Sequence, residues 1–339
     1  MSSSRVTAVH PFSAIEGGRI SVEGSGFSVD GPHLPDVRIG ETPARVVFAS
    51  SRRLSVIVPS GLEGGQAPIR IAGVPGETAF VNVAAPFATG LHQVDNPVFD
   101  RDGNLYVTYS GTRGQQVPVS IFRVRPNGTR ETFSSGIVNP TSMAIDSSGQ
   151  LYVSSRFEGI VYRVASDGSA EPFASDLGVA CGLAFSPDRQ GGALFVGDRS
   201  GTIFKVDRSG HATTFASLPA SVAAFHLAFG PAGENGALYV TGPTLSPYDA
   251  LYRVDANGTV TRNYEGFGRP QGLAFDPQGR LHVVEALAGM SGLYRIAANG
   301  TPEQVLAGPG LVGVAFTLDG GIVVTSNDTA YRLNRFERT

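Results

Sequence analysis

The chain has 339 residues, 41% hydrophobic and 16% charged, with a formal net charge of −3. This composition excludes a disordered chain, and the near-balanced charge supplies no attraction to nucleic acid or an anionic membrane. A single cysteine, Cys181, excludes an intrachain disulfide and a cysteine-based metal cluster.

Glycine (44) and proline (22) are abundant without a collagen period, which points to many tight turns between short strands. No apolar run reaches the length of a membrane span. The opening "MSSSRVTAVHPF" lacks a basic segment followed by an apolar one, so the expected location is cytoplasmic, or extracytoplasmic if a leader was removed.

Residues 1–80 come first and read "VTAVHP", "GGRISVEGSGF", "DVRIG", "ARVVFASSRRLSVIVP" and "GGQAPIRIAG". Strict alternation places Ile20 and Val22 on one face of their strand, and Leu54, Val56 and Val58 on one face of theirs. Six or seven such strands predict a small immunoglobulin-like sandwich. Pro11, Gly17-Gly18, Gly24-Ser25-Gly26-Phe27, Val37–Gly40 and Pro59–Gly61 carry a resemblance to the IPT/TIG domain family. That resemblance implies an interaction or spacer module.

Residues 81–339 repeat one phrase. Phe99, Ile145, Phe185, Phe229, Phe275 and Phe316 recur at spacings of 46, 40, 44, 46 and 41 residues. Each unit holds an apolar run, a turn such as "DPQG", a second run, a loop, a third strand such as "LYRI", a turn such as "AANG", and a last strand. Pairs such as Asn127-Gly128, Asp167-Gly168 and Asn299-Gly300 suit the positive φ of tight hairpins. That hairpin need also accounts for the three "NGT" triplets, which otherwise match a glycosylation acceptor. The basic residue of the third strands (Arg123, Arg163, Lys205, Arg253, Arg295, Arg332) recurs in all six units, which argues for a structural role.

The sixth unit stops after its third strand, at "TAYRLNRF" (329–336), while "VNVAAPFATG" (81–90) matches the fourth-strand texts. The expected fold is therefore all-β: a sandwich at 1–80 and a six-bladed β-propeller at 81–339, its last blade closed by strands from both ends. The blade phrase resembles the NHL-repeat propellers and the gluconolactonase/regucalcin-like propellers. The lactonase resemblance implies a divalent metal held by residues just before the glycine that opens a first strand. Asp95 stands at such a place, while Thr141, Cys181, Phe225, Gln271 and Val312 offer no second carboxylate.

Candidate site residues follow from the propeller's geometry, because loops leading into first strands and out of second strands share one channel mouth. Asn96, Ser142, Cys181, Gln271 and His226 lie at first-strand starts, and Tyr109, Asp198 and Glu285 at second-strand ends. His226 suits a general base with Asp198 and Glu285 as orienting carboxylates, or a plain space-filling role. Cys181 suits a nucleophile or a small buried apolar side chain. Arg156 and Arg199 suit a carboxylate or phosphate ligand, or a solvated loop. Tyr109 suits a stacking surface or a channel cap. Two functional classes remain open: a protein that binds a small molecule or protein partner at the mouth, and a hydrolase or lyase acting there. The sequence demands no cofactor; a divalent cation such as Ca²⁺ would use Asp95.

Overall fold

The computed structural model describes residues 4–29, 34–75, 79–187, 192–231, 236–287 and 289–333, and every regular element among them is a strand. Residues 334–336, the end of the last blade phrase, lie outside the described residues. No helix among them is long and apolar enough to cross a membrane.

Strands Arg5–His10, Arg19–Ser25, Val37–Ile39, Thr42–Ala49, Arg53–Ile57, Gly65–Ile71 and Ala79–Val83 form the N-terminal sandwich. Its core holds Ile20, Val22, Leu54, Val56 and Val58, the residues that alternation assigns to the inner faces, together with Ile39, Ile69 and Val81.

The propeller follows. Blade 1 pairs Val98–Phe99, Leu105–Thr108, Ile121–Val124 and Arg130–Ser134, and blade 2 pairs Pro140–Ile145, Leu151–Ser155, Ile160–Val164 and Ala170–Ala174. Blade 3 comprises Ala180–Phe185, Leu194–Asp198, Thr202–Val206 and Ala212–Ser217; blade 4 comprises His226–Phe229, Leu238–Thr241, Asp249–Val254 and Val260–Phe267. Blade 6 takes Leu311–Phe316, Ile322–Ser326 and Thr329–Leu333 from the C-terminal end and Ala85–Thr89 as its fourth strand, the closure expected from the sequence. These five sheets stand apart from one another. Blade 5 (Pro270–Phe275, Leu281–Glu285, Gly292–Ile296 and Pro302–Ala307) is instead continuous with the sandwich, in one twelve-stranded sheet. First strands of successive blades touch, and that of blade 1 touches that of blade 6, which closes the ring.

Two local features explain the repeated phrase. Gly168, in the last hairpin of blade 2, has φ 87°, and a Cβ there would sit 1.8 Å from the Phe133 carbonyl oxygen of blade 1. Only glycine satisfies both the turn and this approach. The recurrent third-strand arginine bonds a fourth-strand glutamate: Arg123 with Glu131, Arg163 with Glu171, and Arg295 with Glu303. These are cross-strand pairs on blade surfaces, away from the channel.

The seam between sandwich and propeller is made by the short strand Ser13–Ala14, which runs parallel to both Ala79–Val83 and Pro302–Ala307. Ile15 N–H donates to the Ala307 carbonyl at 2.9 Å, and its side chain, 1% exposed, packs with Ala84, Val284, Leu293, Leu306 and Leu311. Gly18 permits the approach, since a Cβ there would meet the Ala307 oxygen at 2.5 Å. Ile15→Ala is expected to cost roughly 2–5 kcal/mol, read by urea unfolding. A loss near zero would show that the seam is not packed.

His282, in the second strand of blade 5, lies against Phe316 of blade 6 with ring centroids 4.8 Å apart, and its Nδ1 lies 3.0 Å from the Arg280 carbonyl oxygen. Burial lowers its pKa from 6.5 to about 4. Between those values the unfolded chain takes up a proton that the folded chain refuses, so stability falls as pH drops from 6.5 towards 4. Replacing His282 by Gln should remove up to about 3 kcal/mol of that acid-side loss. The check is urea unfolding of both proteins at pH 7 and pH 4.5; parallel curves would refute it.

Candidate functional site

The segment that opens blade 1 departs from the repeat. Its first strand is only Val98–Phe99, and the preceding residues Asp95 and Asn96 turn into the channel. Asn96 Nδ2 donates to the Leu273 carbonyl of blade 5 at 2.7 Å, while its Oδ1 accepts from Val314 N–H of blade 6 at 2.9 Å. The Asp95 carboxylate, 3% exposed, lies 2.5 Å from His226 Nδ1 of blade 4, the blade opposite blade 1 in the ring. His226 is fully buried, and its Nε2 has no hydrogen-bond partner. A carboxylate–imidazole bridge therefore crosses the propeller axis. On one side of it the channel has a volume of about 380 Å³, lined largely by apolar first-strand residues such as Met143, Leu183, Leu227, Phe229 and Phe275.

Larger clefts of about 460 and 640 Å³ lie between blades 1, 2 and 3 at the outer hairpins. Of their arginines, Arg123 and Arg125 are paired with Glu131 and Arg163 with Glu171.

His226 does not assemble with Asp198 and Glu285 as the sequence suggested. Glu285 stands at the end of its strand, 3% exposed, but its carboxylate accepts backbone N–H groups from Gly268 (2.7 Å), Arg269 (2.8 Å) and Leu287 (2.7 Å). Asp198 likewise accepts from Val179 N–H at 2.7 Å and from the Ser200 hydroxyl. Both carboxylates tie down the loops of their own blades. Ser142 serves the ring too: its hydroxyl accepts from Leu183 N–H of blade 3 at 2.9 Å. The Gln271 carbonyl accepts from Thr241 Oγ1 at 2.6 Å. Cys181 is 1% exposed, and burial pushes its thiol up to about 12, so it is a neutral buried side chain rather than a nucleophile.

The arginines are a different matter. Arg156 of blade 2 is half-buried and makes no ion pair among the described residues. Burial holds its pKa below the ordinary arginine value; the field of Cys181 opposes that shift, while Arg199 and Arg113 deepen it. The three arginines sit in mouth loops of blades 1, 2 and 3, Arg156 half-buried and Arg113 and Arg199 exposed, near enough for Arg156 to feel the field of the other two. Their placement is built in. Asn139, fully buried at φ 48°, donates through Nδ2 to the Ser110 and Thr112 carbonyls (2.6 and 2.7 Å) and accepts from Gly114 N–H at 2.6 Å. It therefore fixes the loop that carries Arg113, while its own carbonyl receives Arg156 N–H at 3.4 Å. Arg199 N–H donates to Val179, whose own N–H is held by Asp198. His92 completes the wall. Burial, and then the neighbouring Arg156, lower its pKa; its Nδ1 has no partner, and its ring lies 6.0 Å from that of the half-buried Tyr109.

Arg113, His92 and Asn139 were not singled out from the sequence. Arg113 sits in a longer loop than its counterparts Arg156 and Arg199, which hides its equivalence. Asn139 looks like an ordinary turn residue until its contacts are seen.

Residues 4–84 match the family model of the IPT/TIG domain. The sandwich is an IPT/TIG domain. Beside this domain the chain carries the ring of small sheets found in solved structures over nearly its whole length. An auxiliary nutrient binding protein from Bacteroides ovatus is similar at 14% identity, covering 97% of each chain with a TM-score of 0.55. A candidate gluconolactonase is similar at 16% identity over 74% of this chain and 90% of its own, with a TM-score of 0.58. The virginiamycin B lyase from Staphylococcus aureus is similar at 14% identity over 94% and 99%, with a TM-score of 0.51. At these identities the likeness establishes the fold. No curated protein matches the sequence.

The donor set does not fit the metal that the lactonase resemblance implies. Asp95, the one carboxylate among the first-strand positions compared, is engaged by His226, and a hard cation requires several oxygen ligands. Among the described residues no group of three His, Cys, Asp or Glu side chains is placed to hold a metal ion.

Asp95→Ala and His226→Ala should each destabilise the propeller, because each strands a buried polar partner. The two losses should not add, with an interaction energy of roughly 1–3 kcal/mol in a double-mutant cycle. Additive losses would mean that the bridge contributes nothing.

Proposed function

We propose that the protein binds a small anionic molecule at the channel mouth, with Arg156 at the centre and Arg113 and Arg199 on either side. The observation that carries this reading is the half-buried Arg156, which makes no ion pair among the described residues and lies in the field of the cations Arg113 and Arg199. Like charges held together cost free energy unless an anion joins them, and a planar guanidinium receives carboxylate or phosphate through two parallel hydrogen bonds. Half-burial of Arg156 lowers the local dielectric and strengthens that attraction. The IPT/TIG domain, fused to blade 5 through one sheet, acts as a rigid mount or interaction module. The description of one similar structure as a nutrient binding protein agrees with a binding role.

A catalytic reading has one specific support. Asp95 on Nδ1 would orient the His226 imidazole so that Nε2 is a base, the arrangement general-base chemistry uses. Nε2 is fully covered, however, so binding is the reading the geometry favours.

The test is a thermal-shift and calorimetric titration with acetate, citrate and inorganic phosphate at low salt. Binding of at least one anion is expected, and Arg156→Ala should weaken it about 10- to 100-fold, the value of a charged hydrogen-bonded contact. Arg163→Ala, on the outer blade surface, should not. No binding by any of these anions, or equal binding by the Arg156→Ala protein, would refute the reading.

A further inference from the structure

Among the described residues of the propeller, the exposed large apolar side chains are not scattered. Phe157 (53% exposed), Val222 (41%), Leu245 (92%), Tyr248 (66%), Leu287 (37%) and Met290 (57%) all lie in loops of the mouth face. The opposite face shows only Leu318. A one-sided apolar display of this kind marks a binding surface.

The loops that carry it are braced. Asp249, itself buried, accepts from Thr244 N–H at 3.0 Å and Thr244 Oγ1 at 2.6 Å, fixing the base from which Leu245 and Tyr248 project. In blade 5, Glu285 receives Leu287 N–H, Ser291 Oγ donates to the Leu287 carbonyl at 2.7 Å, and Tyr294 OH donates to the Met290 carbonyl at 2.7 Å. Apolar groups held outward on anchored backbone lose little conformational entropy when a ligand covers them. In blade 2 the display begins beside the cations. Phe157 directly follows Arg156, and its ring lies against Gly114, where a Cβ would meet it at 3.1 Å, next to Arg113.

The mouth loops of blades 1, 2 and 3 carry the cations Arg113, Arg156 and Arg199 together with the exposed carboxylates of Glu158 and Asp176. In the loops of blades 4 and 5 the carboxylates of Asp249 and Glu285 are buried, Glu285 held by backbone N–H groups and Asp249 Oδ1 by Thr244 while its Oδ2 has no hydrogen-bond partner, and the exposed charge is the cation of Arg269. Resting on the anion-binding reading, we infer that the ligand is an amphipathic acid. Its anionic head sits on Arg156 and its neighbours, and its apolar body extends over the crescent formed by Leu245, Tyr248, Leu287 and Met290. The anionic head is common to a carboxylate and to a phosphate monoester.

The experiment is calorimetric titration of the full chain with straight-chain monocarboxylates of four to twelve carbons, below micelle-forming concentrations, and with the matching alkyl phosphates. Affinity should rise about fourfold per buried methylene, and the better series identifies the head. Leu245→Ser combined with Met290→Ser should weaken the twelve-carbon acid at least tenfold, while Leu318→Ser should not. Arg156→Ala should weaken every member. Binding of short and long acids with equal affinity would overturn the amphipathic ligand while leaving the anion site standing. No binding of any acid would overturn both. A dimer in sedimentation that the two serine substitutions abolish would assign the crescent to a second copy of the chain and overturn the proposal as well.

Discussion

The Asp95–Asn96 dipeptide is the constraint on which the propeller depends. Six blades around an axis leave first-strand backbone groups facing an interior that water does not freely reach, and each such group must find a partner. Asn96 supplies partners to blades 5 and 6 at once, and Asp95 reaches blade 4 through His226. Ser142 and Thr241 make similar joints between neighbouring blades. The ring is thus closed twice, once at its outer edge by the borrowed strand Ala85–Thr89 and once at its axis by polar side chains. Those side chains are spent on the fold, whereas Arg113, Arg156 and Arg199 make no ion pair among the described residues.

Much of the architecture was legible in the sequence because it rests on period and turn chemistry. The six-fold repeat, the Asn-Gly and Asp-Gly hairpins and the displaced fourth strand are all local patterns with one physical solution. The site was less legible, since a residue's place in a column does not say which way its polar atoms are used. Glu285 sits where the repeat puts it, yet three backbone N–H groups claim its carboxylate. The sequence pairs His226 with carboxylates of the two neighbouring blades, whereas its partner lies 131 residues earlier in the sequence, on the opposite blade. Only the closed ring brings Asp95 and His226 together. Arg156 and Arg199 could be read, because cations after two successive second strands need a reason; Arg113 could not, because loop length breaks the register.

The recurrent basic residue of the third strands makes the opposite point. Repetition in six units identified it as structural, and its glutamate partners in blades 1, 2 and 5 supply the mechanism. The mouth arginines Arg113, Arg156 and Arg199 are unlike it in one respect: none makes an ion pair among the described residues. Irregularity within a repeat protein is therefore informative, since symmetry accounts for the frame and departures from it mark what the frame is for.

The strand Ser13–Ala14 hydrogen-bonds on both sides at once, to Ala79–Val83 and to Pro302–Ala307. This removes blade 5 from the set of interchangeable blades. The other outer edges face solvent or a neighbour, whereas the edge of blade 5 is occupied by a foreign strand and backed by Ile15. A cut between residues 84 and 85 would separate the two folds in sequence but not in substance. The shortened propeller would expose an open ladder of N–H and C=O groups beside an empty apolar socket, a ready template for pairing between molecules. A fragment that keeps the edge of blade 5 covered must therefore include the sandwich.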